Sequence, residues 1–262
     1  MIVIKYGGHA LPEQGKHDPI IKVIADYFAS GNPLALVHGG GPQIDAELEL
    51  HGINKVMISG YRQTTSEVFE VVQKVLSGQV LRTLVNQFIS EGINAVGISA
   101  ADGELIRTKK MEPIVNGEAI DIGLVGDIDS VNPKILNALM ANGYLPIISP
   151  IGASATGLGF NINADIAAGA IGGALSADEV IFMTDVAGIF REFPNPDSII
   201  STISAAELKV LQPSFREGMI PKVQAALYAL ESGAKRIRII DGRVAENLLS
   251  ALSGHGGTVV TQ

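Results

Sequence analysis

The chain has 262 residues, 47% hydrophobic and 18% charged, a composition that supports a sizeable buried core and excludes an intrinsically disordered protein. Its 19 basic and 27 acidic residues give a net charge of -8, which argues against nucleic acid as a partner. Cysteine is absent, so disulfides, thiolate nucleophiles and cysteine metal sites are excluded, and we expect a cytoplasmic protein.

Short β-branched runs alternate with segments of helical periodicity, a pattern typical of a mainly parallel sheet flanked by helices. In the first hundred residues we predict strands at 2–6, 34–38 and 95–99, and helices at 20–30, 42–50 and 65–91. The helix at 65–91 has a broad apolar surface. Burial within its own subunit and contact with a second copy explain this surface equally well, so dimer formation through the helix is a hypothesis.

The pattern changes after residue 99. Segments 105–109 and 124–129 are predicted to form antiparallel strands around an Asn116-Gly117 turn, which makes this region a candidate flap. Further along we predict helices at 133–142, 164–175, 205–211, 221–232 and 245–252, strands at 145–149, 179–184, 236–240 and 258–261, and a glycine-rich turn at 152–159.

The sequence contains no signal of membrane insertion. No apolar run reaches the roughly 20 residues that a membrane span needs. The chain enters its first predicted strand at Ile2, without the basic region of a signal peptide. We therefore expect no membrane partner.

Two glycine-rich segments follow the first two predicted strands. Gly7 and Gly8 follow the first strand, and glycines 39–41 open the second predicted helix. Glycine lets backbone N–H groups approach an anion closely, and a helix N-terminus adds about half a positive charge. Neither loop matches a Walker or dinucleotide-binding pattern, and each alone is as readily a tight turn. At the carboxyl ends of neighbouring strands, together they indicate a binding site for an anion.

Three charged residues stand out by their positions. Lys5 lies within an otherwise apolar strand, where a lysine is costly to bury unless an anion meets it. Lys222 is predicted at a helix N-terminus, where a cation opposes the helix dipole and could meet a phosphate. Asp165 is predicted near the start of another helix, where its ordinary role would be to cap that helix. The two lysines therefore favour a site for a phosphoryl group.

Seven short motifs occur in one order along the chain: I-K-x-G-G at 4–8, H-G-G-G-P at 38–42, G-x-R-x-T at 60–64, G-x-V-G-D at 123–127, N-x-N-A-D at 161–165, T-D-V-x-G-I at 184–189 and G-M-x-x-K at 218–222. Each motif alone is weakly specific, but the ordered set spans nearly the whole chain. On these motifs the sequence resembles the acetylglutamate kinases of the amino-acid kinase family.

The resemblance implies ATP-dependent phosphorylation of the side-chain carboxylate of N-acetyl-L-glutamate, a step of arginine biosynthesis. We expect Mg to be brought by ATP, since no His/Asp/Glu cluster in the sequence suggests a protein-held metal site. The resemblance further implies that Lys5 and Lys222 stabilise charge on the transferring phosphoryl group and that Asp165 holds both lysines. The residues implied for the substrate are Gly40, Gly41, Arg62, Asn161 and Asn163. Those implied for the nucleotide are Gly7, Gly8, Thr184, Asp185, Gly188, Ile189 and Met219.

The resemblance also implies an architecture. We expect a three-layer αβα sandwich around an open, mainly parallel eight-stranded sheet. Residues 1–173 would form an N-terminal lobe for substrate binding and dimerisation, and residues 174–262 a C-terminal lobe for the nucleotide. Hexameric, arginine-inhibited relatives carry an extra N-terminal helix, so we expect a homodimer that is insensitive to arginine.

Departures from the family pattern surround Arg62, where Tyr61, Gln63, Thr65 and Ser66 replace the usual residue types. They leave open a kinase for acetylaminoadipate, or for a glutamate or aminoadipate carried on an acidic protein. The retained Arg62 favours a substrate with a free α-carboxylate. A noncatalytic sensor of nucleotide or amino acid on the same fold is a further alternative, although it would be expected to lose Lys5, Asp165 or Lys222.

Overall fold

The computed structural model describes residues 1–7, 18–115, 117–215 and 219–262, with backbone only for Ser214 and Pro221. Gly8, Asn116 and Gly218, which belong to the predicted loops and motifs, lie outside the described residues. The strands are β1 Ile2–Tyr6, β2 Leu34–His38, β3 Met57–Ile58, β4 Tyr61–Arg62, β5 Ala95–Ser99, β6 Ile106–Lys110, β7 Ile114–Val115, β8 Glu118–Ala119, β9 Gly126–Val131, β10 Leu145–Ser149, β11 Ile151–Ala153, β12 Gly159–Asn161, β13 Glu179–Thr184, β14 Thr202–Ser204, β15 Arg236–Asp241 and β16 Thr258–Thr261.

The α-helices are α1 Pro19–Ala29, α2 Gly41–Leu50, α3 Ser66–Gln73, α4 Leu81–Ser90, α5 Lys134–Ala141, α6 Ala164–Ala174, α7 Ala205–Leu211, α8 Ile220–Glu231 and α9 Ala245–Leu252. A π-helical segment, Lys74–Val80, joins α3 to α4 without a break. The predicted helix at 65–91 is therefore confirmed as one continuous helical rod. Across the described ranges, none of the helices combines the length and the apolar character needed to cross a membrane.

Eight strands form one sheet in the order β14-β16-β15-β13-β1-β2-β10-β5. Neighbouring strands are parallel except β15 and β16, which are antiparallel. β1 lies near the centre, with Lys5 opposite Val37 on one side and Phe182 on the other. Because β1, β2 and β13 run the same way, the loops that follow them meet at one edge of the sheet.

Two apolar clusters cover the two faces of this sheet. Alternate β1 residues Ile2, Ile4 and Tyr6 pack in one cluster with α1, α3, α4 and α9. Val3, between them, belongs to the other cluster, which contains residues of α5, α6, α7 and α8. The structure therefore has helices on both sides of the sheet, which confirms the predicted three-layer sandwich.

A second, smaller sheet has the strand order β12-β11-β6-β9. Its strands β6 and β11 come after β5 and β10 of the main sheet along the chain. β6 and β9 are antiparallel, as predicted for the segments at 105–109 and 124–129. The predicted turn at 152–159 is only partly correct, because Ile151–Ala153 and Gly159–Asn161 pair as strands and confine the turn to the residues between them. The pairing brings Asn161 beside Val125 through a single bridge.

The apolar surface of the α3–α4 rod is buried within the chain itself. Its predicted apolar residues are all at most 6% exposed: Val68, Val71, Val72, Val75, Leu76, Val80, Leu84, Val85 and Phe88. Burial in its own subunit, the first of the two explanations offered by the sequence, thus accounts for the pattern. The width of the apolar surface no longer supports a dimer.

Candidate active site

An ion pair joins β1 to α6 at the carboxyl edge of the main sheet. Lys5 Nζ lies 2.8 Å from Asp165 Oδ1, and the two side chains are 13% and 17% exposed. Asp165 Oδ1 has no hydrogen-bond partner among the described residues, so the contact with Lys5 is an ion pair without hydrogen-bond geometry. Lys5 projects from the sheet face that packs on α6, and Asp165 lies in the first turn of that helix. A lysine held in this way can move its charge toward an incoming anion without losing its partner.

The ion pair forms part of a cleft of 290 Å³. The loop from β2 into α2 supplies one wall, with Gly39, Gly40, Gly41 and Pro42. The segment from β12 into α6 supplies the opposite wall, with residues 161–165. The N-terminus of α2 opens into this cleft and carries partial positive charge. A cationic side chain and a helix N-terminus therefore face the same space, which suits a doubly charged anionic ligand.

Two glycines of the cleft region pack closely against neighbouring atoms, Gly7 against backbone and Gly40 against a side chain. A Cβ on Gly7 would lie 2.7 Å from the carbonyl oxygen of Met183, at the carboxyl end of β13. A Cβ on Gly40 would lie 2.6 Å from Leu76 Cδ2. Gly41 has open space at the same position. Glycine thus lets the β1 loop pack directly on β13, which brings the cleft close to the residues that follow β13.

The two asparagines of the N-x-N-A-D motif have different environments. Asn161 Nδ2 donates to Thr64 Oγ1 at 3.4 Å, and its side chain lines the cleft. Asn163 Oδ1 accepts from the N–H groups of Asp165 and Ile166 at 2.8 and 3.2 Å. Asn163, rather than Asp165, is therefore the cap of α6, and the capping role considered for Asp165 was wrong. This cap leaves the Asp165 carboxylate available to Lys5.

Arg62 lies on the short hairpin of β3 and β4. Its Nη2 donates to Asp45 Oδ1, and Lys55 Nζ donates to Asp45 Oδ2 at 2.8 Å. Among the described residues, Arg62 Nη1 is buried and has no hydrogen-bond partner. Arg62 does not line the 290 Å³ cleft directly, but Asp45 follows Ile44, which does. The sequence did not single out Asp45, because nothing local indicates a contact with a residue 17 positions away.

The predicted nucleotide residues gather around the end of β13. Lys222 Nζ lies 3.4 Å from Asp185 Oδ1. Thr184 Oγ1 contacts the carbonyl oxygens of Val186 and Ile240 at 3.0 and 3.2 Å, which ties the loop to β15. Asp165 forms an ion pair with Lys5, and Lys222 forms an ion pair with Asp185. The two lysines therefore reach the carboxyl edge of the sheet from different elements.

Two further predicted nucleotide residues, Gly188 and Ile189, pack against Thr258 of β16. Ile189 is fully buried, and its backbone N–H donates to Thr258 Oγ1 at 2.8 Å. A Cβ on Gly188 would lie 2.5 Å from the same oxygen. The close approach to β16 explains why glycine occupies position 188. Met219 is the residue that precedes α8, three positions before Lys222.

His38 and Tyr6 are buried beside the glycine loops. His38 Nδ1 donates to the carbonyl oxygen of Gly39 at 2.8 Å, and burial lowers the pKa of His38 to about 4. A neutral histidine held by its own loop agrees with a packing role. Tyr6 donates its hydroxyl to Asp18, the cap of α1. Burial, with the Asp18 charge beside it, raises the pKa of Tyr6, so this hydroxyl stays protonated.

Comparison with known proteins identifies the family. Residues 1–241 match the sequence profile of the Amino acid kinase family. An acetylglutamate kinase from Acidothermus cellulolyticus is 40% identical over 252 residues, covering 95% of this chain and 85% of the relative. One from Clostridium acetobutylicum is 39% identical over 261 residues, covering 99% and 88%. The chain belongs to the amino acid kinase family, among the acetylglutamate kinases.

Solved structures agree at the level of the fold. A protein from Streptococcus mutans UA159 is 26% identical with a TM-score of 0.79, covering 99% of this chain and 98% of that one. A carbamate kinase from Giardia has a TM-score of 0.69, covering 100% and 98%, and its 17% identity shows the fold alone. The predicted amino acid kinase fold is thus confirmed.

Positively charged groups gather around the carboxyl edge of the main sheet. Within the described ranges, no group of three or more His, Cys, Asp or Glu residues is placed to hold a metal ion. Lys5, Lys222 and the start of α2 instead provide positive charge around the carboxyl edge of the sheet. Several residues that line the cleft were not predicted as site residues from the sequence, among them Ile44, Leu76 and Pro150. Their apolar side chains carry no chemical signal in the sequence.

Proposed function

We propose that the chain transfers the γ-phosphoryl group of ATP to the side-chain carboxylate of N-acetyl-L-glutamate, giving N-acetyl-L-glutamyl 5-phosphate for arginine biosynthesis. One observation carries this proposal. The Lys5–Asp165 pair faces the N-terminus of α2 across one cleft, in a chain about 40% identical to acetylglutamate kinases over almost its whole length.

The geometry suits this chemistry because the acceptor needs no base. A glutamate carboxylate has a pKa of about 4.3 and is already a nucleophile at neutral pH. One carboxylate oxygen forms a bond to the γ-phosphorus while the bond between that phosphorus and the oxygen of ADP breaks. The obstacle is repulsion between two anions, which Lys5, Lys222 and the α2 N-terminus would offset.

On the substrate side, we assign the cleft to N-acetyl-L-glutamate. The N–H groups of Gly40 and Gly41 would face the reacting end, and Asn161 would bind the acetamido end. Arg62 would bind the α-carboxylate, since its Nη1 is buried with no partner in the described part of the chain. Asn163 contributes as the cap that shapes this wall.

On the nucleotide side, we assign ATP to the residues at the ends of β1 and β13. Gly7 and Gly8 would approach the phosphates, and Lys222 would exchange Asp185 for the γ-phosphate. Thr184, Gly188, Ile189 and Met219 would form or support the wall around the nucleotide. Apart from Gly7 and Gly8, this assignment places the substrate on residues 1–173 and the nucleotide on residues 174–262. Mg would enter with ATP and neutralise phosphate charge, in a cytoplasmic enzyme.

We also propose a homodimer that uses the open edge of the main sheet. β5 ends the sheet, so one side of its backbone has no strand partner in the sheet. Beside it lies a groove of 520 Å³ whose lining includes Ser77, Arg82 and Gly97. Ile89 of the adjacent α4 is 56% exposed. Sedimentation of Ile89→Glu beside Leu50→Glu, which lies 80% exposed on α2, would separate a specific interface from general surface effects.

The proposed reaction is tested by trapping its product. Purified protein, ATP, Mg and N-acetyl-L-glutamate are incubated with hydroxylamine, which converts an acyl phosphate to a hydroxamate. Lys222→Ala should abolish hydroxamate formation. Lys22→Ala, which removes a lysine with a 53% exposed side chain on α1, should not change it.

The competing substrate is tested in the same assay. N-acetyl-L-aminoadipate is one methylene longer, and an apolar pocket discriminates by one methylene only about 10–200-fold. Faster turnover of acetylaminoadipate would reassign the substrate. Absence of hydroxamate with both substrates, with ATP binding retained, would favour a carrier-linked glutamate or aminoadipate as the substrate, or a noncatalytic sensor.

A further inference from the structure

The Arg62 guanidinium is hydrogen-bonded through one terminal nitrogen, whereas the other is buried and unpaired in the described part of the chain. Its side chain is 10% exposed, and its Nη2 donates to Asp45 Oδ1. Within the described ranges, its Nη1 is buried without a hydrogen-bond partner. A buried donor without an acceptor is unfavourable in a folded protein and therefore indicates a missing partner. A ligand oxygen that accepts from Nη1 would remove this cost.

Asp45 is itself fixed from two sides. Its Oδ1 accepts from Arg62, and its Oδ2 accepts from Lys55 at 2.8 Å. Partial burial opposes ionisation of Asp45, but the hydrogen bonds from Lys55 and Arg62 outweigh it and lower the pKa of Asp45. The carboxylate is thus charged at neutral pH. Two cations and one anion leave one net positive charge beside the cleft.

Asp45 also connects Arg62 to the wall of the cleft. It belongs to α2, whose first residues Gly41 and Pro42 and whose Ile44 line the cleft. Arg62 comes from a two-stranded hairpin, with β3 and β4 only two residues long each, so its own element gives little rigidity. The ion pair ties this hairpin to the helix that opens into the cleft.

We propose that Asp45 is a positioning residue, which holds the Arg62 guanidinium by one nitrogen so that Nη1 meets the α-carboxylate of the amino-acid substrate. This inference rests on the proposed function, in which Arg62 binds that carboxylate. Asp45 acts through Arg62 and need not touch the substrate. The opposite role, in which Asp45 competes with the substrate for Arg62, predicts tighter binding when Asp45 is removed.

The test compares three variants with the unmodified protein. Asp45→Ala removes the acceptor, Asp45→Asn keeps an amide oxygen that can accept from Arg62 Nη2, and Asp26→Ala is the control. Asp26 forms a comparable carboxylate–lysine pair with Lys22 on the exposed face of α1, at 2.8 Å. The readouts are the Kd of N-acetyl-L-glutamate by calorimetry, and KM and kcat in the hydroxamate assay.

We expect Asp45→Ala to raise the Kd and the KM of N-acetyl-L-glutamate about tenfold or more, because a loosely held group forfeits its alignment. The KM of ATP and kcat should stay within about twofold. Asp45→Asn should recover most of the affinity. Asp26→Ala should match the unmodified protein. A Kd that falls, or stays the same, in Asp45→Ala would overturn the inference, as would failure of Asp45→Asn to recover affinity.

A second comparison separates positioning from general damage. 4-Acetamidobutyrate has the reacting carboxylate and the acetamido group but no α-carboxylate. Asp45→Ala should reduce the preference for N-acetyl-L-glutamate over this analogue by the same factor as it raises the Kd. In an Arg62→Ala background, Asp45→Ala should have no further effect. Equal losses for both ligands, or an undiminished loss in that background, would show a merely structural role.

The Kd also separates this inference from the proposed reaction. If the unmodified protein binds N-acetyl-L-glutamate but forms no hydroxamate, the proposed reaction fails and the Kd ratio still decides the role of Asp45. If it turns the substrate over and the Kd ratio is unity, only the inference fails. Absence of binding by the unmodified protein would overturn both.

Discussion

Lys5 at the carboxyl end of β1 lies 2.8 Å from Asp165 in the first turn of α6. The pair joins the central strand of the sheet to the helix that carries one wall of the cleft. An acidic residue in the first turn also interacts favourably with the helix dipole. Both effects hold Asp165 in place. Asp165 in turn holds the ammonium group of Lys5 in position.

We predict that Lys5→Met lowers kcat about 10²–10³-fold, the loss typical when one preorganised group that stabilises transition-state charge is removed. The Kd of N-acetyl-L-glutamate should change much less, because the charge matters most while the phosphoryl group transfers. Lys22→Met removes an exposed lysine that does not line the cleft and serves as the control. Hydroxamate formation in Lys5→Met within tenfold of the unmodified protein would refute the role of Lys5.

The glycines around the cleft differ in what they can tolerate. Gly7→Ala would place a Cβ 2.7 Å from the backbone carbonyl oxygen of Met183, whereas Gly41→Ala meets nothing within 4 Å. We therefore expect Gly7→Ala to lower the free energy of unfolding by about 1–3 kcal/mol, because backbone cannot move aside easily. Gly41→Ala should leave it unchanged within about 0.5 kcal/mol.

Urea unfolding of both variants measures this difference. Gly41→Ala then becomes informative about function, since any loss of activity in a stably folded variant points to the α2 N-terminus as a ligand site. If Gly7→Ala proves as stable as Gly41→Ala, the close packing of the β1 loop on β13 does not contribute measurably to the free energy of unfolding.

Much of the main sheet follows directly from local sequence pattern. The predicted bounds of β1, β2, β5, β10, β13 and β16 match the structure. These strands are short β-branched or apolar runs between turn residues, so periodicity and length alone define them. Strand β14 was missed, because three residues, Thr202–Ser204, carry no usable period and become a strand only through pairing with β16.

The candidate site was predictable where chemistry is local and unpredictable where it depends on contacts. Lys5 stood out because a cation interrupts an apolar strand. That Asn163 rather than Asp165 caps α6 could not be foreseen, since both residue types cap helices and the choice depends on backbone angles. The Asp45–Arg62 contact likewise needs the hairpin of β3 and β4 to fold back on α2. Such pairings are fixed by the assembled fold, not by spacing along the chain.

A buried ion pair between β13 and β15 should contribute to stability. Arg238 and Glu179 are 3% and 2% exposed, with Nε and Oε1 2.8 Å apart. Arg238 also donates to the carbonyl oxygens of Gly256 and Gly254 at 2.6 and 3.2 Å, which holds the loop between α9 and β16. Arg238→Met would leave the Glu179 carboxylate buried with Arg236 as its remaining ion partner in the described structure.

We predict that Arg238→Met lowers the free energy of unfolding by about 3 kcal/mol, measured by urea denaturation. The double change of Glu179→Leu with Arg238→Met should recover at least half of this loss, because no charge is then left buried. Lys235→Met is the control. It breaks the exposed pair with Asp178, which should cost less than about 1 kcal/mol. A loss below 1 kcal/mol in Arg238→Met would contradict the prediction.

His38 should make stability depend on pH below neutrality. Burial lowers the pKa of His38 from 6.5 to about 4, and among the described residues its Nε2 has no hydrogen-bond partner. Between these two values the unfolded chain binds a proton that the folded chain does not. The free energy of unfolding therefore falls as the pH falls from about 6.5 to 4, and His38 accounts for about 3 kcal/mol of that fall.

The measurement is urea unfolding of the unmodified protein, His38→Gln and His255→Gln at several pH values from 4 to 8. Carboxylates contribute equally to all three, so the difference in slope isolates the histidine. His38→Gln should lose that part of the slope whatever its stability at pH 7, whereas His255→Gln, which changes an exposed residue, should keep it. Equal slopes would show that His38 takes up its proton in the folded protein near its ordinary pKa. A base beside the glycine loop would then be available at neutral pH, and the kinase reaction would be expected to lose activity as the pH falls through 6.5. With the pKa near 4, protonation of His38 causes no loss of kinase activity as the pH falls through 6.5.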